Sequence, residues 1–156
     1  MCDILREVYR SVYNESFEFA ELDKRIKLQK AVYLLENMGV SVGDYSFSWN
    51  KYGPYSIALD VDAQKCDANK TEEIEVEFSD IAKKGIDIIR GYLEQKGRYS
   101  CAEWVECIAS LHYLSNVWRY DKMSLLEKLR EFKPYLKCGR ENKIALNIVD
   151  NISVVF

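Results

Sequence analysis

The sequence predicts a mostly α-helical protein, an α+β chain of about six to seven helices with a small β-hairpin or wing. Two observations carry this prediction. Apolar residues recur at the three-to-four spacing of a helix in most of the chain, and only two short stretches alternate with the period of two that is typical of a strand. A chain of 156 residues is the size of one domain, so residues 1–156 are expected to form a single compact unit.

Two helices are expected at the start of the chain. The first covers residues 3–14, where apolar side chains recur every four positions. The second runs from residue 21 to residue 38. Gly39 follows it, at the position after a helix end where glycine is preferred.

The β element is expected to come from two alternating segments, residues 45–49 and residues 72–78, paired with each other. Between them, Pro54 is expected to open a helix that ends near Gln64, because the first turn of a helix does not need the N–H group that proline lacks. Gly53 gives the backbone room to turn before that helix.

Four more helices are expected in the second half of the chain. Serine caps, glycine stops and one proline mark where they begin and end. These markers are Ser79, Gly97, the capping boxes Ser100–Glu103 and Ser124–Glu127, Pro134 and Gly139.

Composition limits the possible functions. The net charge of −3 gives no overall attraction for nucleic acid. The chain shows no signal peptide and no apolar run long enough to span a membrane, so a cytoplasmic protein is expected. Its five cysteines are odd in number and irregularly spaced, which predicts reduced thiols rather than a disulfide framework or a zinc site.

Catalytic chemistry is not predicted. The single histidine, His112, lies in the middle of a predicted helix and is expected to be a packed residue. An enzyme would need it to act with an acid such as Glu103 or Glu106. No metal-binding cluster, phosphate-binding loop or cofactor site is predicted.

Charge is unevenly distributed. Eight acids and two bases lie between Asp60 and Asp80, whereas eight bases and four acids lie between Arg119 and Lys143. Such asymmetry is typical of two faces with different partners, although a solvated loop and a solvated helix would give the same pattern.

Aromatic residues supply the first candidate binding site. Trp49, Tyr52 and Tyr55 lie within seven positions, and Trp and Tyr dominate the binding energy of many protein interfaces. They could also stack nucleic-acid bases or pack the hairpin onto the second helix. The acids that follow complete the predicted partner-binding set. These acids are Glu72, Glu73, Glu75 and Glu77.

A longer pattern carries a family resemblance. It combines a Lys-Leu-Gln-Lys segment, a Tyr-Leu-Leu segment, a tryptophan and a Tyr-Gly-Pro-Tyr-Ser turn. Its central residues are Lys27, Gln29, Lys30, Tyr33, Gly53, Pro54 and Ser56. This order and spacing resemble the Panacea or SocA-like antitoxin domain and the C-terminal domain of DarG-type antitoxins. The resemblance covers about residues 25–135, and Tyr33 is expected to pack near Tyr52 or Tyr55.

The resemblance implies an antitoxin-like or defence-associated protein of prokaryotes without enzymatic activity, which neutralises a toxin or nuclease by direct contact. No macro domain precedes the pattern, and ADP-ribose hydrolysis is therefore not implied. On this hypothesis the acids between Asp60 and Asp80 imitate nucleic-acid phosphate and mask a basic site on the partner. Trp49, Tyr52 and Tyr55 would then be apolar anchors.

The alternative is a winged-helix DNA-binding regulator. Its three helices would lie between Ser79 and Phe132, the segment from Arg119 to Lys143 would contact DNA, and the acid-rich hairpin would be the wing. Nucleic-acid binding remains the less favoured hypothesis because the protein is acidic overall.

Overall fold

The predicted mostly helical architecture with a small hairpin is confirmed. The computed structural model describes residues 1–68 and 76–153. In this part of the chain, the helices are α1 Cys2–Tyr13, α2 Leu22–Asn37, α3 Ile57–Ala68, α4 Asp80–Leu93, α5 Cys101–Asn116, α6 Leu125–Phe132 and α7 Gly139–Asp150. The strands are β1 Ser48–Asn50 and β2 Gly53–Tyr55, and one 3-10 turn covers Lys122–Ser124.

Helix α5 lies at the centre of the fold. Every residue from Trp104 to Leu114 is buried, and α5 packs against α2, α4, α6, α7 and β2. One continuous apolar core joins it to side chains from all seven helices. A helix enclosed on all sides has no solvent face, so its polar residues must find partners inside the protein.

Local capping signals give most helix boundaries correctly. The Ser79 hydroxyl accepts a hydrogen bond from the Ala82 N–H, and Ser100 and Glu103 form both arms of the predicted capping box. The expected box at Ser124 is wrong, because the 3-10 turn before α6 leaves Ser124 in a helical conformation. Its hydroxyl donates to the carbonyl of Asp121 instead of capping the helix.

The turn around Pro54 differs from the prediction. Pro54 does not open a helix. It lies in β2 opposite Trp49, and α3 begins at Ile57. Proline is tolerated in a two-stranded ribbon, because both strands are edge strands. On the outer side of an edge strand no neighbouring strand needs the N–H that proline lacks. Ser56 takes over the start of the helix, because its hydroxyl accepts from the Leu59 N–H at 3.3 Å.

The pairing partner of the first strand was also predicted wrongly. Strand β1 pairs antiparallel with β2, only three residues further along the chain. Residues 76–78 of the expected second strand are not in a strand, and residues 72–75 lie outside the described part. Helix α3 continues to Ala68, beyond the predicted end near Gln64. The wing that the regulator hypothesis needs is therefore not formed by residues 76–78.

Gly53 is predicted to be essential for the hairpin. It has a φ of +91°, and a Cβ added there would lie 2.5 Å from the Ser110 hydroxyl oxygen. We expect Gly53→Ala to lower the free energy of unfolding by about 2–4 kcal/mol, from backbone strain and overpacking together. Urea unfolding measures this loss.

Gly91→Ala is the matched control. Gly91 lies within α4, and an added Cβ meets no atom within 4 Å. This change should stabilise the protein by about 0.5–1 kcal/mol, because alanine favours a helix over glycine. Equal unfolding midpoints for the two variants would contradict the role given to Gly53.

Candidate functional site

Three charged side chains are buried together beneath the hairpin. Lys30 on α2, Glu106 on α5 and Lys133 directly after α6 are 1%, 3% and 2% exposed. The Lys133 Nζ lies 3.2 Å from the Glu106 Oε2 and donates to the Lys51 carbonyl at 2.6 Å. The Lys30 Nζ donates to the Pro54 carbonyl at 3.1 Å. The hairpin backbone thus supplies acceptors for both ammonium groups.

The network holds two amines and one carboxylate. Burial lowers the pKa of Lys30 to about 7, although Glu106 opposes this shift and Lys133 adds to it. Burial also lowers the pKa of Lys133, again opposed by Glu106. The Tyr135 hydroxyl donates to the Glu106 carboxylate. Since one carboxylate cannot neutralise both amines, the cluster favours an additional negative charge nearby.

The resemblance pattern has a structural explanation. The Gln29 side-chain amide donates to the Ser56 carbonyl at 2.9 Å, and the Ser56 N–H donates back to the Gln29 Oε1 at 2.9 Å. Gln29 and Lys30 therefore fix the Gly53–Ser56 segment to α2. Lys27 serves a different contact, because its ammonium pairs with Glu15 and lies 4.7 Å from the centre of the Tyr13 ring.

Tyr33 does not pack on Tyr52 or Tyr55. Its ring contacts in the described chain are Phe47, His112 and Tyr113, and its hydroxyl lies 2.7 Å from the His112 Nδ1. His112 is 2% exposed, and this burial lowers its pKa to about 4. The packed histidine expected from the sequence is confirmed.

The acids considered as partners for His112 are engaged elsewhere. Glu103 completes the cap of α5, and Glu106 binds Lys133 and Tyr135. The structure therefore does not bring His112 and these acids together in the pairing considered for catalysis.

A cluster of aromatic rings reaches the surface beside the hairpin. We call this cluster the aromatic face; its members are Trp49, Tyr113, Trp118, Tyr120 and Phe132. The Trp49 ring lies 5.0 Å from the Trp118 ring and 6.0 Å from the Phe132 ring, between centres. Trp118 and Phe132 are 39% and 38% exposed, so both rings are open to solvent.

The loop that carries Trp118 has an unusual backbone. Arg119 has a φ of +60°, in the left-handed region that non-glycine residues seldom occupy. At Tyr120 the chain is again bound to α5, because the Tyr120 N–H donates a hydrogen bond to the Leu114 carbonyl at 3.1 Å. Val117 and Met123 lie close in sequence and are exposed as well. The end of α5 and this loop therefore present several apolar side chains to solvent.

The predicted anchor residues divide between two places. Trp49 belongs to the aromatic face, whereas Tyr52 and Tyr55 line a pocket of about 210 Å³ between α2 and the hairpin. The other lining residues are Leu22, Arg25, Ile26, Gln29, Lys30, Asn50, Lys51 and Asp60. The three aromatic residues therefore do not form one patch.

The predicted acidic partner-binding residues are mostly not described. Glu72, Glu73 and Glu75 lie outside the described residues, and Glu77 is exposed. Two acids that open this stretch face side chains of the protein. Asp62 accepts from the Tyr45 hydroxyl at 2.8 Å, and burial together with Asp60 raises the pKa of the Tyr55 hydroxyl.

Sequence reasoning missed Trp118 and Phe132 as partners of Trp49, and it missed Lys133 and Glu106 as a buried pair. Trp49 lies more than 60 positions along the chain from every other residue of the face. One local signal was available for Trp118, which follows a helix end immediately before a charged segment.

Comparison with known protein families, with curated protein sequences and with solved structures finds no match to this chain. The antitoxin resemblance therefore remains a prediction. Within the described residues, no helix is both long enough and apolar enough to cross a membrane. No group of three or more potential ligands that could hold a metal ion occurs in that same part of the chain.

Glu106 is predicted to stabilise the fold through its charge. Glu106→Leu leaves the buried Lys133 ammonium without its counter-charge, and we expect the free energy of unfolding to fall by about 3–5 kcal/mol. The double variant Glu106→Leu/Lys133→Met should recover much of this loss, because it removes the pair together. Urea unfolding at neutral pH measures both.

The exposed pair between Lys128 and Glu131, at 3.2 Å, provides the control. Glu131→Leu should change stability by less than about 1 kcal/mol, because solvent screens a surface pair. A loss in Glu106→Leu no greater than that in Glu131→Leu would refute the importance of the buried charge.

His112 is predicted to make stability pH-dependent. Its pKa is about 4 in the folded protein and near 6.5 when unfolded, so the unfolded chain binds more protons between these values. Its contribution to the free energy of unfolding is fully present above pH 6.5. About 3 kcal/mol of that contribution is lost as the pH falls towards 4. Unfolding midpoints across this range measure the slope.

His112→Gln is the test variant, because an amide can still hydrogen-bond to the Tyr33 hydroxyl but does not titrate. Its stability should fall less steeply below pH 6.5 than that of the native protein. Identical pH profiles would show that other groups cause the acid sensitivity.

Proposed function

We propose that this protein is an antitoxin-like binding protein that neutralises a protein partner by direct contact, and that the aromatic face is its contact surface. The observation that carries the proposal is the exposure of Trp118 and Phe132, at 39% and 38%, in one cluster with Trp49. The family resemblance supports the class of function.

The chemistry of the face favours a protein partner. Tryptophan and tyrosine are enriched among the residues that contribute most to protein binding. Trp118 and Phe132 pack against each other at 5.6 Å between ring centres, and Trp49 contacts both. Rings held in this way lose little conformational freedom when a partner binds, which lowers the entropic cost of association.

Charged residues beside the apolar centre give the face a polar rim. Lys128 and Glu131 form an ion pair on α6, and the Lys128 ammonium lies 5.1 Å from the centre of the Tyr120 ring. Arg119 and Arg130 are exposed nearby in sequence. An apolar centre surrounded by a polar, hydrated rim is the usual arrangement of a specific protein interface.

We further propose that the protein neutralises its partner by masking the partner's nucleic-acid-binding surface. Glu72, Glu73, Glu75 and Glu77 would attract a basic partner over a distance, and the aromatic face would hold it at contact. Electrostatic attraction chiefly raises association rates, and buried apolar anchors chiefly lower dissociation rates. The two contributions can therefore be separated by kinetics.

The test begins with capture of a stoichiometric partner by the tagged protein in its native host, followed by purification of that partner for binding kinetics. Trp118→Ala and Phe132→Ala should each raise the dissociation rate by roughly thirtyfold, equivalent to a loss of about 2 kcal/mol. Replacement of Glu72, Glu73, Glu75 and Glu77 by Lys should instead slow association and weaken its salt dependence.

Ile81→Ala is the matched control, because Ile81 is 41% exposed and lies on α4, which carries no member of the aromatic face. It should bind the partner as the native protein does. The proposal fails if no stoichiometric partner is captured, or if Trp118→Ala and Ile81→Ala bind equally well. A sequence-specific DNA complex at nanomolar protein would favour the winged-helix regulator instead.

A further inference from the structure

The pocket between α2 and the hairpin has an excess of positive charge. Arg25, Lys30 and Lys51 line it, and Asp60 is the one acid among its lining residues. Asp60 lies close to Tyr55, and burial together with Asp60 raises the pKa of the Tyr55 hydroxyl. The protein as a whole has a net charge of −3, so this local excess runs against the overall charge.

Two of these cations have unused hydrogen-bonding capacity. The Arg25 Nε is buried without a hydrogen-bond partner in the described chain. Its guanidinium carbon lies 4.9 Å from the centre of the Phe19 ring. Lys30 directs one of its three possible donors to the Pro54 carbonyl. A buried donor is normally satisfied, so the unpartnered Arg25 Nε at this pocket is suited to an acceptor on a ligand.

The remaining wall of the pocket is suited to a flat apolar group. The rings of Tyr52 and Tyr55 line it together with the aliphatic side chains of Leu22 and Ile26. Its volume of about 210 Å³ is below the range of roughly 300–1,000 Å³ that is typical for drug-sized ligands. The ligand must therefore be small.

We propose that this pocket binds a small organic anion, with its carboxylate or phosphate group on Arg25 and its body against Tyr52 and Tyr55. Arg25 is suited to this role because a guanidinium presents planar, charged donors that match both kinds of acid group. The site is separate from the aromatic face and does not depend on the proposed protein partner.

Lys30 couples this binding to pH. It faces Glu106 from α5, Lys133 from the end of α6 and the Pro54 carbonyl from β2, and burial lowers its pKa to about 7. An anion in the pocket stabilises the protonated amine. Affinity should therefore be highest below pH 7, where the amine is already charged, and should fall as the pH rises above 7.

The experiment uses the full-length protein and three single-ring probes: benzoate, phenyl phosphate and the neutral analogue benzamide. Calorimetric titration at pH 6 should detect at least one of the two anions at millimolar concentration or below, and should detect it more strongly than benzamide. Stronger binding of benzoate would assign a carboxylate ligand, and stronger binding of phenyl phosphate would assign a phosphate ligand. Benzoate stays ionised across the range, and if it binds, its affinity should fall about tenfold between pH 6 and pH 8.5.

Arg25→Gln tests the main contact. It should weaken binding of the anion by at least about tenfold, the effect expected for loss of a charged hydrogen-bond donor. Lys83→Gln removes an exposed cation on α4 and should leave binding unchanged. Amide chemical shifts should change at Tyr52 and Tyr55 on addition of the anion, and not at Trp118.

The proposal is overturned if neither anion binds at these concentrations, or if benzamide binds as well as the anions do. It is also overturned if Arg25→Gln and Lys83→Gln have the same affinity, or if the shift changes fall outside the pocket. Amide spectra of the unliganded variants show whether each is folded, so loss of structure is distinguishable from loss of binding.

Discussion

The β-hairpin is fixed to the helical body by buried side chains that hydrogen-bond to its backbone. Lys30 binds the Pro54 carbonyl, Lys133 binds the Lys51 carbonyl, and Gln29 binds both backbone groups of Ser56. Two strands of three residues each would not be stable alone, because so short a ribbon makes few bonds and buries little surface. Contacts from α2 and from the segment after α6 therefore hold the hairpin in place, and both candidate surfaces depend on that position.

Burying the charged groups of this network has a cost in free energy. A lysine ammonium is costly to remove from water, and two of them share the single carboxylate of Glu106. Lowered pKa values at Lys30 and Lys133 are the expected response, because the neutral amine is cheaper to bury. Buried ion pairs of this kind often add little net stability, so we infer that the network matters mainly because it specifies where the hairpin docks.

The hairpin also keeps two surface features apart. Trp49 directs its ring towards Trp118 and Phe132, whereas Tyr52 and Tyr55 line the pocket with α2. Lys133 connects the buried charges to the first surface, since its ammonium lies 4.9 Å from the centre of the Trp49 ring. A protein-binding face and a small-molecule pocket can therefore exist side by side without sharing an aromatic residue.

The sequence by itself determined the helical class and most helix ends, because caps such as Ser79 and Ser100 and stops such as Gly39 act through bonds within a few residues. It did not determine the role of Pro54, because the residues around Pro54 are compatible both with the start of a helix and with a strand of the hairpin. Only the tertiary structure decided that choice, through the side-chain donors of Gln29 and Lys30, which lie more than twenty positions away. The same holds for the aromatic face and the buried lysines: long-range packing brings their members together, and no local pattern encodes which distant partner a side chain will meet.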